Sequence, residues 1–225
     1  MALAFLIVLG GCLTSRCLKR PVPPTGDRAS TDRLIIKSFS IKVLELLPFV
    51  TFTNALFHAY IAYSFPSPAP RFCPYPDHLN PNLFRWSART ATTLALIITS
   101  AVIRLSAIVQ LGKSFTWELA KPTTGLKKDG LYGYVQHPSY TGMLLNVTSF
   151  VTLIMRIDGA VGCWLPAFMA HSKLLIALFT VGIPLSLVWS LSIRVKDEES
   201  MLQRAFGDEW EEYHRRTKRF IPGIC

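Results

Sequence analysis

Charge is scarce in this chain: Asp, Glu, Lys and Arg make up 17% of its 225 residues, against about a quarter in an ordinary soluble domain. A composition so poor in charge speaks against a soluble globular fold. The five cysteines, Cys12, Cys17, Cys73, Cys163 and Cys225, form neither a Cys-x-x-Cys pair nor a Cys/His cluster at zinc spacing. Neither a metal site nor a disulfide framework is therefore expected. No internal repeat is visible, and no paired charges lie within the apolar runs, which argues against a transporter built from repeated broken helices. The net charge of +10 brings no nucleic-acid motif with it, because the basic residues fall between apolar runs.

What the chain has instead is hydrophobic length. Half of its residues are hydrophobic, and Phe49–Phe65, Ala91–Gly112 and Leu174–Ile193 each approach the about 20 residues needed to cross a bilayer. The sequence predicts an all-α integral membrane protein with about five transmembrane helices. The opening run "MALAFLIVLGGCLTSRCLKR" is short and is followed, not preceded, by basic residues, so a short membrane helix is expected there in preference to a cleaved signal. Further spans are predicted at about 41–65, 88–111, from the 130–142 motif to about Met155, and 173–193. Arg104 is expected to snorkel to the interface and not to face a polar cavity. The stretch 159–170, punctuated by Trp164 and Pro166, is expected to be re-entrant or a short extra helix. Three parts follow: 1–40, a short apolar helix and polar linker; 41–111, membrane spans; and 112–225, which holds the polar motifs.

Lys and Arg concentrate in 14–42, 112–128 and 194–219, while 64–90 and 157–172 are poorer. Four spans after residue 41 put all three rich segments on one face, which the positive-inside rule makes cytosolic.

Two polar stretches stand out. Residues 130–142 read "GLYGYVQHPSYTG", crowding hydrogen-bonding rings and permissive glycines between apolar segments. The tail, 194–225, places Val195, Leu202, Phe206, Trp210 and Tyr213 at roughly helical spacing, with Gly207 as the expected break between two amphipathic helices. Arg194 and Glu198 lie four residues apart at the membrane boundary, sharing a helix face. They fit a plain surface ion pair or a site that holds an anionic lipid-like group, just as His137 and Pro138 fit a simple helix cap.

Together, "GLYGYVQHPSYTG" and Arg194-x3-Glu198-Glu199-x2-Leu202-x3-Phe206-Gly207-x2-Trp210-x2-Tyr213, followed by Pro222, resemble the isoprenylcysteine carboxyl methyltransferase family. The resemblance runs from Gly112-Lys113-Ser114-Phe115 to Pro222 and extends to phospholipid N-methyltransferases. It implies an endoplasmic reticulum protein that methylates the C-terminal carboxylate of prenylated cysteines with S-adenosylmethionine at a cytosol-facing site. Residues 112–225 would be the methyltransferase core, Tyr132, His137, Pro138, Ser139 and Tyr140 would line the cofactor pocket, and the Thr124, Gly125, Leu126, Lys127 loop would add backbone contacts. Glu198 would contact the cofactor from the tail, and Arg194 would hold the substrate carboxylate as the catalytic and substrate-binding residue. The implied partners are prenylated protein termini and membrane lipid, without metal or nucleic acid. Two departures stand out, Gln136 where an Arg usually precedes His-Pro and Thr124 where a His often stands. Either another cation compensates for Gln136, with Lys127 or Lys128 as the candidates, or this member's affinity or substrate differs. A lipid N-methyltransferase and a non-catalytic membrane scaffold remain the alternatives.

Overall fold

Glycine and proline set several of the helix limits. The computed structural model describes residues 1–19, 38–116 and 125–223. The long elements are α1 (Ala2–Leu18), α2 (Ser38–Ser64), α3 (Ala88–Leu111) and α4 (Pro138–Leu153). One helical turn, α5 (Ala167–Ala170), precedes α6 (Lys173–Ala177), α7 (Ile183–Phe206) and α8 (Asp208–Arg216). Ser87 opens α3 with a reciprocal capping box to Thr90, and Gly112 closes it at φ 53°, a conformation that costs side-chain-bearing residues steric strain. Pro138 starts α4, where its missing N–H would go unpaired in any case. The described residues contain no strand beyond a single parallel bridge between Val135 and Lys218.

Among the described residues, three helices are long and apolar enough to cross a membrane: Leu44–Ser64, Ala88–Leu111 and the rod Lys173–Phe206. In the rod a π turn, Leu178–Gly182, joins α6 to α7 without interruption. Its 34 residues extend about 51 Å, well beyond the about 30 Å hydrocarbon core. The first tail helix expected from the sequence is therefore no separate surface helix: residues 194–206 continue the span into water. Gly207, at φ 51°, turns the chain into α8 as expected. Residues 159–170 form a 3₁₀ turn and α5, too short to cross anything.

Inside lipid the tails are as apolar as leucine, so helices associate through close packing. Gly11 of α1 faces Ala55 of α2 so tightly that an added Cβ would lie 2.2 Å from the alanine Cβ. α3 packs against both α1 and α4, while α7 leans on α4. The rod's outer side, with Leu174, Leu178, Leu185 and Trp189, remains exposed.

Two expectations are corrected here. Cys73 and Cys163 form a disulfide across 90 residues of sequence, which no local spacing announces. It belongs to a clasp between the α2–α3 and α4–α5 connections. Asn80 donates from its backbone to the Asp158 carbonyl at 2.8 Å and from its amide to the carboxylate at 2.9 Å. Arg156 forks onto both Asp158 oxygens at 2.7 Å. Burial alone would raise the Asp158 pKa, yet these donors hold it below the usual carboxylate value. The second correction is Arg104, which is 3% exposed. It does not snorkel, because its guanidinium finds backbone and hydroxyl acceptors inside the bundle.

Cys73→Ser should leave the helices formed and lower unfolding stability by about 2–4 kcal/mol, the usual worth of closing a long loop. Thermal melts with and without reductant test this: reductant should destabilise the wild type and leave the variant unchanged.

Candidate active site

About four turns of α3, from Ile97 to Gln110, serve as a backboard for the polar motif. Deepest, Asn146 of α4 donates its amide to the Ile97 carbonyl at 3.0 Å. Above it, Gly142 lies flush on α3: a Cβ there would come within 2.8 Å of the Arg104 nitrogen. Arg104 Nη1 then donates to the Ser139 carbonyl at 3.1 Å and to Ser139 Oγ at 2.9 Å. Next, Tyr132 Oη donates to the Ala107 carbonyl at 3.4 Å. Last, Gln110 Oε1 accepts the Leu131 N–H at 2.9 Å.

The tail closes the opposite side. The Gln136 and His137 N–H groups donate to the Lys218 and Arg219 carbonyls at 2.8 and 2.9 Å, and Thr141 Oγ1 donates to the Phe220 carbonyl at 3.2 Å. Tyr213 Oη donates to the Tyr132 carbonyl at 2.7 Å. Burial, with the Glu198 charge adding to it, pushes the Tyr213 phenol up to about 12 and raises the Tyr132 phenol as well. Both therefore remain hydrogen-bond donors at neutral pH.

Between backboard and tail lies a cavity. Of the sequence-predicted residues, Gly125, Leu126, Lys127, Tyr132, His137, Ser139, Tyr140 and Glu198 line it. Pro138 is buried behind the lip as the first residue of α4. Thr124 lies outside the described residues. Arg194 is not on the wall; it is 9% exposed and sits one turn toward the membrane from Glu198. Tyr140 connects the two: its hydroxyl donates to Glu198 Oε2 at 2.6 Å and also interacts with Arg194. His137, 3% exposed, stacks on the Tyr140 ring at 5.5 Å and reaches Glu199 Oε1 at 3.4 Å. Arg219 forks onto the two Glu199 oxygens at 2.6 and 2.9 Å.

Sequence reasoning did not single out Leu111, Thr116 or Met201, which also line the cavity. Met201 is legible in retrospect, three residues beyond Glu198 on the same helix face. Gln136 has a role that the sequence reading did not foresee. It is 5% exposed, its amide donates to the Thr217 carbonyl, and its Oε1 accepts from His214 Nδ1 at 3.0 Å. Neither neighbouring lysine replaces a cation there, because Lys127 pairs with Asp129 at 2.9 Å and Lys128 with Glu209 at 2.7 Å.

The wall chemistry is mixed in a specific way. One carboxylate, Glu198, faces an enclosure in which apolar and aromatic groups such as Leu126, Phe115 and Trp210 stand beside polar ones such as Thr116, Lys127 and Ser139. A cation carrying a flat aromatic body suits such a lining. Among the described residues no cluster of His, Cys, Asp or Glu is placed to hold a metal ion.

Residues 93–204, which run from the backboard through the motif to the end of α7, match the Isoprenylcysteine carboxyl methyltransferase (ICMT) family. That segment, 112 of the 225 residues, is similar to the isoprenylcysteine carboxyl methyltransferase family. Among named relatives, the protein-S-isoprenylcysteine O-methyltransferase of Schizosaccharomyces pombe is 30% identical over 146 residues, 63% of this chain and 52% of that protein. A probable protein-S-isoprenylcysteine O-methyltransferase of Oryza sativa subsp. indica is 31% identical over 134 residues, 58% of this chain and 60% of that protein. Protein-S-isoprenylcysteine O-methyltransferase B of Arabidopsis thaliana is 28% identical over 138 residues. The chain thus spans about half to three-fifths of the length of these relatives. The family segment contains Arg104, Tyr132, His137, Ser139, Tyr140, Arg194 and Glu198, and ends before α8.

Gln136→Ala should strand the Thr217 carbonyl and the His214 ring, at a cost of about 1–3 kcal/mol. The checks are a thermal melt and proteolysis at 214–220: the variant should melt lower and be cut faster, whereas an unchanged cleavage rate would show that the side chain does not hold the tail.

Proposed function

We propose that the protein transfers a methyl group from S-adenosylmethionine to the C-terminal carboxylate of a prenylated cysteine. It would act as a five-span protein of the endoplasmic reticulum membrane with its cavity open to the cytosol. The observation that carries this reading is the Tyr140 hydroxyl, which joins a cavity-facing carboxylate, Glu198, to a cation one turn nearer the membrane, Arg194. The family match over residues 93–204 and the names of the relatives support the same chemistry. The clasp supports the orientation: Cys73 and Cys163 lie in the two segments poorest in basic residues, and disulfides persist on the oxidising side of a membrane.

When bound, S-adenosylmethionine supplies an electrophilic methyl group on a sulfonium centre. Glu198 would hold its positive end, the aromatic and apolar wall its flat body, and the Thr124–Lys127 loop and Tyr132 its polar edges. Residues 112–225 would thus form the catalytic part, with Pro138 fixing the bend that aims His137, Ser139 and Tyr140. The substrate carboxylate is already ionised at neutral pH, so no strong base is required. Arg194 would orient it, and a guanidinium does not surrender a proton in doing so. Contact through one carboxylate oxygen leaves the other nucleophilic. The remaining task is alignment with water kept out, which is worth roughly 7–11 kcal/mol in well-oriented reactions. The prenyl chain would remain in lipid and approach beside α4 and α7, because each methylene drawn into water costs about 0.8 kcal/mol.

Full-length protein in liposomes, given labelled S-adenosylmethionine, should methylate N-acetyl-S-farnesylcysteine and leave phosphatidylethanolamine unlabelled. Label on the phospholipid alone would instead establish a lipid N-methyltransferase, and failure to bind the cofactor would point to a scaffold. Arg194→Ala should lower kcat/KM by about 30-fold or more, equivalent to the at least 2 kcal/mol lost on truncating a buried charge contact. Unchanged dependence on the farnesyl substrate would remove Arg194 from its role. Glu198→Gln should weaken cofactor binding, measured by calorimetry, by about tenfold or more through loss of a charge-assisted contact.

A further inference from the structure

The observation is a buried cation that the reaction does not consume. Arg104 carries its charge inside the helix bundle at 3% exposure, where desolvating an ion is costly unless its donors are satisfied. Its hydrogen bonds go to two places. Nε donates to the Cys17 carbonyl at 3.0 Å, and Nη1 donates to both oxygens of Ser139, at 3.1 and 2.9 Å. Cys17 lies in the last turn of α1, where carbonyls lack intrahelical partners and the helix dipole is negative. Ser139 lies in the first turn of α4, between the cavity-lining residues His137 and Tyr140.

We propose that Arg104 is a positioning residue that fixes the cofactor cavity by locking the first turn of α4 to the last turn of α1, an assignment resting on the methyl-transfer reading above. The geometry shows how such a lock would act. α4 cannot slide along α3, because Gly142 touches the Arg104 backbone with no room for a Cβ. Ser139 and Tyr140 share one helical turn, so a shift at Ser139 is carried to the Tyr140 ring. That ring stacks on His137, and its hydroxyl must meet Glu198 at 2.6 Å. A shift of a few tenths of an ångström at Ser139 would therefore be felt at the carboxylate that faces the cofactor. The role needs a fork: one guanidinium serves acceptors on two helices at once through Nε and Nη1. A lysine keeps the charge, but its single ammonium on a flexible stem cannot reproduce that planar geometry. Arg104 thus acts through Ser139 and Tyr140 and touches no reactant.

The test uses full-length protein in lipid nanodiscs and measures the binding of S-adenosylhomocysteine, which cannot react, by calorimetry, together with a melting curve for every variant. Arg104→Lys should raise the Kd by about tenfold, and the KM for the farnesyl substrate should remain near the wild-type value. Ser139→Ala should raise the Kd by about threefold, and the double variant should bind no worse than Arg104→Lys alone, as expected for residues acting as one unit. Cys73→Ser controls for general destabilisation, since it opens the clasp at the other end of the molecule from the cavity: it should melt lower with an unchanged Kd. The proposal is overturned by an unchanged Kd in Arg104→Lys, by additive effects of the two substitutions, or by a Cys73→Ser shift in Kd as large as that of Arg104→Lys. If Arg104→Lys does not fold, an unchanged Kd in Ser139→Ala overturns it as well. A wild-type protein that binds no S-adenosylhomocysteine would instead remove the methyl-transfer reading on which the proposal stands.

Discussion

The seam between the 131–141 segment and the end of the tail is the contact on which the rest of the site depends. Both strips are too irregular to satisfy their own backbone groups, and buried N–H and C=O groups are expensive to leave unpaired. They solve the problem for each other: Gln136 and His137 give their N–H groups to Lys218 and Arg219, and Tyr213 reaches the Tyr132 carbonyl. Once that seam closes, α8 is held over the motif and the end of α7 is brought beside α4. The cavity is the space left between them. Without the seam, Glu198 would sit on a helix leaning into water and Tyr140 would face no carboxylate.

What the sequence revealed and what it concealed divide along a physical line. Apolar runs and their stops are local, so the helix at 88–111 was read with its limits and the Gly207 break was placed correctly. The polar motif and the Arg194/Glu198 face were legible for the same reason, since each is written within a few residues. Features that depend on distant partners were not. Gln136 meets Thr217 across 81 residues and His214 across 78, so by its type alone it registered only as a missing charge. Cys73 and Cys163 stand 90 residues apart with no motif around either. Arg104 sits near a helix end, where snorkelling is the default for an isolated helix; only the neighbours supplied by α1 and α4 make burial the better state.

The two ends of the molecule are held together by different means. At the clasp, one covalent bond and the Arg156–Asp158–Asn80 network tie two connections directly. At the cavity end the ties are hydrogen bonds and ion pairs, several of them exposed, such as Lys128 with Glu209. Exposed pairs of this kind contribute little to stability, whereas the backbone bonds beneath them are shielded. A rigid base and a top held by reversible contacts suit a protein that must admit a large ligand without losing its helix packing. The rod adds to this asymmetry, since its first half packs sparsely and presents leucines outward.

Opposite charges one helical turn apart are normally spent on each other, and an i,i+4 pair at an exposed site is worth only a few tenths of a kcal/mol. Here Tyr140 contacts both residues. Its hydroxyl donates to one Glu198 oxygen, which leaves that carboxylate capacity to accept from a cationic ligand on the cavity side. In the proposed reaction the two reactants carry opposite charge and must approach closely with water excluded. A tyrosine that contacts both a carboxylate and a guanidinium ties together two differently charged groups for such a pair, and as a neutral donor it adds no charge that either reactant would have to overcome. Arg104 enters this arrangement from beneath, since the turn that it holds is the one that carries Tyr140.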